Sequence, residues 1–305
     1  MATIAINGFG RIGRACARMI LRSQAHRLIA VNDLADRAAQ TYLLERDSVH
    51  GGFKADLSGV KFSCAQTPQE CDFDGAEVVL DCTGVFTAHR ELEAYLDRGA
   101  KRVVISALSA DESVAIAPPL SKPEAAIVSA GSCTANALYA MSNVMNDHFG
   151  VAAVLATSIH SYTSDQRVLD GRNDDRRRGR ASAINIIPVV TSAAKNLIRY
   201  DPTYANKAAA IGLRIPAPNV SMMQAVFALK NAASDEAINA AFTRSQNAAL
   251  SVTSDYKVST DIIGSTASAI VDTNLTLCLD RLACVCAWHD NEIGFAARML
   301  EFAKI

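Results

Sequence analysis

Cys133 is the residue of this chain whose sequence setting best suits covalent chemistry. It follows a run of small polar residues, Ser129 to Ser132, and precedes an apolar helical run from Ala137 to Val144. This pattern predicts a helix N-terminus, where the positive end of the helix dipole and free backbone N–H groups favour a thiolate and stabilise an oxyanion. A lone cysteine in a helix is more often buried packing, so the hypothesis of a nucleophile needs a second reactive group.

His160 is the candidate for that second group. It follows the apolar run Val151 to Ile159. An imidazole can pair with a thiolate, and it can later take the proton of a thiohemiacetal hydroxyl as hydride leaves. Sequence spacing does not show contact between the two side chains, and an isolated histidine is more often structural. The pair is therefore a hypothesis that coordinates can test.

Three glycines near the N-terminus indicate binding of a dinucleotide. Gly8, Gly10 and Gly13 follow the short apolar strand 3–7 with GxGxxG spacing, and helical periodicity continues after them. Missing β-carbons permit a tight turn and let a pyrophosphate approach the helix N-terminus. Asp33 ends the next apolar run, where a carboxylate accepts hydrogen bonds from both adenosine ribose hydroxyls and repels a 2′-phosphate. The pattern predicts NAD; a glycine turn in an unrelated α/β fold is the alternative.

The elements around these residues predict two different architectures. In the first third, short apolar runs alternate with helical stretches such as 90–96, and they lie at 28–31, 78–80 and 103–105. This alternation is typical of βαβ units, so we expect an α/β, Rossmann-type doubly wound parallel sheet. Longer runs with fewer helices between them follow residue 150, at 151–159, 209–215, 222–229 and 282–287. They predict an α+β catalytic domain with a mainly antiparallel sheet.

Composition argues against several other classes of protein. With 30 Lys and Arg against 31 Asp and Glu, the net charge of −1 gives no general attraction to nucleic acid. The arginine cluster at 172, 176, 177, 178 and 180 is mixed with aspartates at 165, 170, 174 and 175, which favours ion pairing over phosphate-backbone binding. Nucleic acid is therefore not expected as a partner.

Membrane, secretory and zinc-binding roles are not expected either. No apolar run reaches the length of about 18 residues that a spanning helix needs. The residues Met1-Ala2-Thr3 lead directly into a strand without a basic segment and cleavage site, so we expect a cytoplasmic protein without membrane contact. The eight cysteines lack CxxC spacing, and no metal site is expected.

Nine segments of the chain resemble the glyceraldehyde-3-phosphate dehydrogenase family, in its order and nearly its spacing. They are AINGFGRIGR (5–14), VND (31–33), DSVHG (47–51), DCTGVF (81–86), GSCTANA (131–137), HSYTSDQ (160–166), INIIPVVTSAAK (184–195), LRIPAPNVS (213–221) and WHDNEIGF (288–295). The resemblance covers essentially the whole chain. It implies an NAD-binding domain over 1–132, joined by a C-terminal helix at about 292–305, and a catalytic domain over 133–291.

The resemblance also implies a reaction. Cys133 attacks an aldehyde, hydride passes to the nicotinamide, and phosphate converts the thioester to an acyl phosphate. The expected substrate is glyceraldehyde 3-phosphate and the product 1,3-bisphosphoglycerate, in glycolysis or gluconeogenesis. The partners are thus a sugar-phosphate aldehyde and inorganic phosphate, and the family implies a homotetramer.

Further residues receive roles from the resemblance alone. Thr163 and Arg214 would hold the substrate's own phosphate. Ser132, Thr134 and Thr191, with Ser192, would receive inorganic phosphate. The expected coenzyme-binding residues are Gly8, Phe9, Gly10, Arg11, Ile12, Asp33, Thr83, Gly84 and Ser106, with Asn291 orienting the nicotinamide carboxamide.

Several positions depart from the family pattern. The surroundings of the nucleophile differ at Ala130, Gly131, Ala135 and Ala137; Ser192 replaces a glycine, Phe295 a tyrosine and Gln66 an arginine near the adenine. Gly171 and Arg172 stand where NAD-specific members usually have Leu-Pro. Arg172 leaves NADP open, because an arginine there could meet a 2′-phosphate reaching across from a neighbouring subunit. Asp33 favours NAD.

Two other interpretations stay open at this stage. Erythrose-4-phosphate dehydrogenase, a sister enzyme whose acyl-enzyme is released by water, shares features at 81–85, 268–272 and Phe295. A non-catalytic relative that binds NAD is the other, although a binding module needs neither Cys133 nor His160.

Overall fold

The computed structural model describes residues 1–304. Two compact units are present: Met1–Ser132 together with the segment from Phe295 onward, and Cys133–Gly294. Within the described residues, no helix has both the length and the apolar character needed to cross a membrane.

The first unit is built on a parallel sheet of seven strands. Its strands are β1 (Thr3–Asn7), β2 (Arg27–Asn32), β5 (Lys61–Ser63), β6 (Val78–Asp81), β7 (Arg102–Ile105), β8 (Ala115–Ile116) and β9 (Ile127–Ser129), and the small hairpin β3 (Arg46–Asp47) and β4 (Gly51–Gly52) lies apart from it. The order β5-β2-β1-β6-β7-β9-β8 means that the chain builds outward from β1 first to one side and then to the other. Such a switch point is where α/β sheets bind their ligands. The prediction of a doubly wound parallel sheet is confirmed.

Three helices connect these strands and one ends the chain. They are α1 (Arg11–Ser23), α2 (Arg37–Glu45), α3 (His89–Asp97) and α7 (Ile293–Phe302). Buried aliphatic side chains of the central strands, such as Ile6 and Leu80, are fully covered, as expected for parallel strands flanked by helices on both faces.

The second unit contains a mixed sheet of eight strands. Its strands are β10 (Val151–Ser161), β11 (Ile187–Val190), β12 (Ala208–Ile215), β13 (Ser221–Leu229), β14 (Leu250–Thr253), β15 (Ala269–Asp272), β16 (Leu277–Leu279) and β17 (Leu282–His289). The order is β11-β12-β10-β13-β17-β15-β14, with β16 paired to β17. Two pairs, β10 with β12 and β14 with β15, are parallel and the others antiparallel. The predicted mainly antiparallel sheet is thus confirmed.

One face of this sheet is covered by helices. These are α4 (Cys133–Phe149), α5 (Ala193–Tyr200) and α6 (Asp235–Arg244). Side chains alternate along β13, where Met223, Ala225 and Phe227 are fully buried in the core that α4 covers and their neighbours are half-buried. At the far end of α4, Gly150 takes the left-handed conformation (φ 65°) that commonly ends a helix. The core therefore holds α4 against the sheet through its residues 137–145.

Candidate active site

The glycine turn of the first unit requires glycine at two positions. Gly8 has φ 85°, and a β-carbon there would lie 2.7 Å from the backbone nitrogen of Thr83. A β-carbon on Gly13 would overlap the carbonyl oxygen of Gly8, whereas one on Gly10 would meet nothing within 4 Å. Gly10 precedes α1, and no side chain caps this helix, so its N-terminal backbone donors can hold an anion.

The carboxyl ends of three neighbouring strands bring the other predicted coenzyme residues of this unit together. Asp33, after β2, accepts hydrogen bonds from the backbone nitrogens of Phe9 (2.6 Å) and Ala35 (3.0 Å). Thr83, after β6, donates through its hydroxyl to Asp81 at 2.6 Å. The carboxylate of Asp33 is therefore oriented by the glycine turn itself, and these residues fit a dinucleotide whose diphosphate lies at α1.

The remaining predicted coenzyme residues of this unit surround the same turn. Arg11 forms an ion pair with Asp47. Gly84 has a left-handed backbone (φ 69°), and the backbone nitrogen of Ser106, after β7, donates to the Asp81 carbonyl at 2.9 Å. Ile12 lies in the first turn of α1.

In the second unit, Cys133 and His160 are in contact. Cys133 is the first residue of α4 and His160 lies one residue before the end of β10. The sulfur of Cys133 is 3.5 Å from Nε2 of His160, whose side chain is buried. This contact meets the geometric requirement of the predicted nucleophile and base.

Burial sets the protonation state of this pair. Desolvation raises the pKa of the Cys133 thiol to about 11, although the Arg214 charge and backbone N–H groups at the start of α4 act in the opposite direction. Desolvation, and next the charge of Arg214, lowers the pKa of His160 well below its usual range. The start of the helix acts in favour of a thiolate, as the sequence predicts, and burial acts against it more strongly.

Arg214 lies beside His160 because the two residues are paired in register between β12 and β10. Its Nη1 donates to the carbonyl oxygen of Ser161 at 3.0 Å and also contacts Nδ1 of His160. Its Nε is buried and has no hydrogen-bond partner among residues 1–304. A guanidinium with a spare donor in this position suits a phosphate oxygen.

Thr163 connects to a second arginine that sequence reasoning treated only as part of a charged cluster. The backbone nitrogen and hydroxyl of Thr163 donate to Oε1 of Gln166, at 2.9 and 3.2 Å, and Gln166 donates to Asp165 at 3.2 Å. Asp165 forms an ion pair with Arg178. Desolvation lowers the pKa of Arg214, and the nearby charge of Arg178 lowers it further. The mixed charges of the loop gave no signal that singled out Arg178.

Asn291 is held by two serine hydroxyls. Its Oδ1 accepts hydrogen bonds from Ser161 at 2.9 Å and from Ser221 at 3.3 Å. The backbone nitrogen of Ser161 in turn donates to the Ser221 hydroxyl at 3.2 Å. These bonds fix the amide so that Nδ2 is left as a donor, which suits the recognition of a carbonyl oxygen.

The residues predicted to receive inorganic phosphate lie at the starts of two helices. Ser132 directly precedes α4, and Thr134 is buried in its first turn. Thr191 and Ser192 precede α5, where the Thr191 hydroxyl accepts from the backbone nitrogen of Ala193 at 3.2 Å. Across the described part of the chain, neither Thr191 nor Ser192 makes a hydrogen bond to Cys133, His160 or Arg214. Each of these helix starts can offer backbone donors to an anion.

His289 is a second histidine that sequence reasoning did not single out. It ends β17, is 1% exposed, and packs edge to face against His160 with ring centroids 6.3 Å apart. Neither of its ring nitrogens has a hydrogen-bond partner within residues 1–304. Desolvation lowers its pKa to about 4, so it is neutral near pH 7.

No group of three or more His, Cys, Asp or Glu side chains in the described chain is arranged to hold a metal ion.

Comparisons with known proteins show the family to which the chain is related. Residues 2–89 match the family model for the glyceraldehyde 3-phosphate dehydrogenase NAD binding domain, and residues 132–291 match the model for the C-terminal domain. A glyceraldehyde-3-phosphate dehydrogenase of Clostridium acetobutylicum is 36% identical, over 100% of this chain and 99% of the relative. The cytosolic enzyme of Pisum sativum is 37% identical and the enzyme of Geobacillus stearothermophilus 34%, each over 98% of this chain and 96% of the relative. The chain therefore belongs to the glyceraldehyde-3-phosphate dehydrogenase family, as its sequence motifs predict.

Proposed function

We propose that this protein oxidises glyceraldehyde 3-phosphate to 1,3-bisphosphoglycerate, with NAD and inorganic phosphate. The observation that carries the proposal is the 3.5 Å contact between Cys133 Sγ and His160 Nε2 at the start of α4. It occurs in a chain whose full-length relatives are named for this activity. No observation favours erythrose-4-phosphate dehydrogenase or a non-catalytic relative.

The chemistry follows from the two side chains in contact. The sulfur of Cys133 attacks the aldehyde carbon, forming a C–S bond and a thiohemiacetal. His160 takes the proton of its hydroxyl through Nε2 as the carbon is oxidised to a thioester. When bound, NAD supplies the hydride acceptor. An oxygen of inorganic phosphate then attacks the thioester carbon, the C–S bond breaks, and Cys133 leaves as the thiolate.

Charged and hydroxyl groups of the second unit support two phosphate sites. We assign the substrate's phosphate to Arg214 and Thr163, with Arg178 adding positive charge beside Arg214. We assign inorganic phosphate to a set of four hydroxyl groups at the starts of α4 and α5: Ser132, Thr134, Thr191 and Ser192. Hydroxyl and backbone N–H groups donate hydrogen bonds to a phosphate without adding positive charge to the site.

We assign coenzyme binding to the first unit and to Asn291. The turn at Gly8, Gly10 and Gly13 accommodates the diphosphate, and Asp33 accepts from the ribose hydroxyls. The preference for NAD over NADP rests on Asp33, since its carboxylate would repel a 2′-phosphate. A clear preference for NADP in steady-state assays with both coenzymes would defeat this assignment, and it would direct attention to Arg172.

We further propose that the domains divide as the family resemblance implies, that four copies assemble, and that the enzyme works in the cytoplasm. The relative from Pisum sativum is named as cytosolic, which supports the last point. An apolar row across the sheet of the second unit, formed by Ala209, Leu155, Val226, Cys284 and Leu277, supports assembly.

An acyl-enzyme burst tests the proposed activity. We expect rapid formation of one NADH per active site when enzyme and NAD meet glyceraldehyde 3-phosphate, with steady turnover only when phosphate is added. Cys133→Ser should lose both phases. Cys278→Ser, at a half-buried cysteine of the same unit that bonds to the backbone oxygens of Ala233 and Asp280, should keep them. A burst retained in Cys133→Ser, or faster turnover with erythrose 4-phosphate that ignores phosphate, would contradict the proposal.

A further inference from the structure

A carboxylate lies in the interior of the first unit, beside the strand that leads into the glycine turn. Asp81 is the last residue of β6, is paired in register with Asn7 of β1, and is 1% exposed. Burial raises the pKa of its carboxyl group, and hydrogen bonds from Thr83, Tyr95 and Asn7 act in the opposite direction. Across residues 1–304 its partners are these three residues, and no basic side chain forms an ion pair with it. A buried carboxylate without a counter-ion persists only where hydrogen bonds replace its water.

Four donors satisfy both oxygens of this carboxylate. Oδ1 of Asp81 accepts from the backbone nitrogen of Thr83 at 3.1 Å and from its hydroxyl at 2.6 Å. Oδ2 accepts from Nδ2 of Asn7 at 3.1 Å and from the hydroxyl of Tyr95 at 2.9 Å. An ionised carboxylate offers about four acceptor sites, so the capacity of Asp81 is filled.

Backbone groups fix the direction of the bonds that lead to Asp81. Oδ1 of Asn32 accepts from the backbone nitrogen of Ala65 at 2.7 Å, so its Nδ2 must donate, and it does so to Oδ1 of Asn7 at 2.8 Å. Nδ2 of Asn7 therefore points to Tyr95, at 2.7 Å, and to Asp81. The four side chains form a buried polar network: Asn7, Asn32, Asp81 and Tyr95. Because each neighbour of Asp81 donates to it, the network fits the ionised carboxylate.

The carboxylate joins two backbone segments that meet at the glycine turn. Asn7 directly precedes Gly8, and Thr83 follows β6. The segments are in close contact, because a β-carbon on Gly8 would lie 2.7 Å from the backbone nitrogen of Thr83. The backbone nitrogen of Cys82 also donates to the carbonyl oxygen of Asn7, at 2.6 Å. Asp81 therefore bonds to both segments, with one oxygen for each.

We propose that Asp81 is a positioning residue of the coenzyme site, which holds the glycine turn and the segment after β6 at the separation that NAD requires. The inference rests on the proposed assignment of coenzyme binding and deepens it. Because Asp81 is buried, it acts through Asn7 and Thr83 rather than by contact with the coenzyme. Tyr95, on α3, supports Asp81 by donating to the oxygen that Asn7 also uses.

The hydroxyl of Thr83 has no proton left to offer the coenzyme. It donates its only proton to Asp81, and its oxygen accepts from the backbone nitrogen of Val85 at 3.1 Å. The backbone nitrogen of Thr83 is engaged with Asp81 as well. Thr83 therefore serves the coenzyme site through the placement of its loop, which its bonds to Asp81 hold.

Calorimetric titration of the full-length protein with NAD, without substrate, tests the inference. Asp81→Asn keeps the size of the side chain, but its amide presents N–H groups at one of the two places where the carboxylate accepts. We expect the Kd for NAD to rise about tenfold or more, because donors that faced a charged acceptor lose it. In steady-state assays the KM for NAD should rise similarly, whereas kcat at saturating NAD should change less than about twofold, as for a loss of uniform binding.

Substitutions of Thr83 test whether Asp81 acts through it. Thr83→Val removes the hydroxyl that donates to Asp81 and should weaken NAD binding, whereas Thr83→Ser keeps this hydroxyl and should bind NAD nearly as the wild type does. In an Asp81→Ala background the hydroxyl has already lost its acceptor, so Thr83→Val should add less than about twofold to the Kd. A full additional loss in that background would show that the two residues act independently, which contradicts the inference.

Leu92→Ala separates positioning from a general loss of stability. Leu92 is fully buried on α3, in the same core as Tyr95, and its aliphatic side chain cannot join the polar network. The truncation should lower the melting temperature by several degrees and leave the Kd for NAD within about twofold of the wild type. If Leu92→Ala weakens NAD binding as much as Asp81→Asn does, the effect is only a loss of stability and the inference is wrong.

Unchanged affinity for NAD in Asp81→Asn would also overturn the inference. If that variant or Asp81→Ala does not fold, Tyr95→Phe takes its place. It removes one donor to Asp81 and should raise the Kd about threefold, and an unchanged Kd there counts equally against the proposal. The burst assay stays independent of these titrations. A normal burst in the wild type with unaltered NAD affinity in the variants removes only this inference, whereas the expected affinities without a burst remove only the proposed oxidation.

Discussion

Two buried histidines stand side by side in the second unit and differ in what surrounds their ring nitrogens. His160 has a partner for each nitrogen, in Cys133 on one side and in Ser161 and Arg214 on the other. His289 has none among residues 1–304. A buried polar group without a partner costs about 1–3 kcal/mol, so His289 weakens the fold where it stands.

His289→Phe should therefore make the protein more resistant to acid. The pKa of His289 falls from 6.5 to about 4 on folding, so between these values the unfolded chain binds a proton that the native chain does not. Wild-type stability must then decrease as pH falls from about 6.5 to about 4, by about 3 kcal/mol from this residue. Phenylalanine has no such titration and leaves no unpaired nitrogen.

Urea unfolding at several pH values between 7.5 and 4.5 measures the difference. The unfolding free energy of His289→Phe should match or exceed that of the wild type at pH 7.5, and the gap should widen towards acid. His148→Phe, at an exposed position of α4, should give a curve parallel to the wild type. Parallel curves for His289→Phe too would mean that its imidazole is hydrated or paired in solution.

These residue-scale features mark the limit of inference from sequence. Motifs pointed to Cys133 and His160, and their contact is present in the structure. Protonation depends on burial, which a motif does not carry, and the expected thiolate at the helix terminus is opposed by desolvation. His289 gave no signal for the same reason, since its importance lies in its neighbours.

At the scale of elements, the glycine turn before α1 separates residues needed for folding from residues needed for binding. Gly13 has no room for a β-carbon because the Gly8 carbonyl occupies that space. Gly10 has room, and its φ of −68° suits any residue. Because we assign position 10 to the diphosphate, we expect a methyl group there to hinder binding of NAD and not folding.

Gly13→Ala and Gly10→Ala form a matched pair that tests this distinction. We expect Gly13→Ala to lower the melting temperature by several degrees, because a loss of about 1–3 kcal/mol accompanies such overlap. Gly10→Ala should melt close to the wild type yet bind NAD at least tenfold more weakly, as measured by calorimetry. Equal losses of stability in both variants, or unchanged NAD affinity in Gly10→Ala, would contradict this division.

The sequence located most elements but not their registers. The apolar run 151–159 predicted a strand, whereas β10 continues to Ser161 because its ladder with β12 extends to the pair Ser161 and Ile215. That same register sets Arg214 opposite His160. Pairing between distant strands is decided by tertiary packing, so a one-dimensional pattern could not place the arginine on the histidine.

At the scale of the whole molecule, the sheet of the second unit has an apolar row on the face opposite its helices. Cross-strand pairing aligns five side chains across β12, β10, β13, β17 and β16: Ala209, Leu155, Val226, Cys284 and Leu277. Leu155 is 65% exposed and Leu277 63%. Their neighbours in the strands, such as Val154 and Phe227, are buried on the helical side. A continuous apolar row of this kind marks an interface more often than a solvated surface.

Leu155→Glu tests whether this row holds copies of the chain together. Wild-type protein should elute with a mass four times the 32.5 kDa of the chain, measured by light scattering after size exclusion. A carboxylate within the row would have to be desolvated on association, at a cost of several kcal/mol per copy, so the variant should appear as smaller species. Leu43→Glu, at an exposed leucine of α2, makes the same change away from the row and should leave the mass unaltered. A variant of Leu155 that keeps the full mass would place the assembly surface elsewhere on the chain.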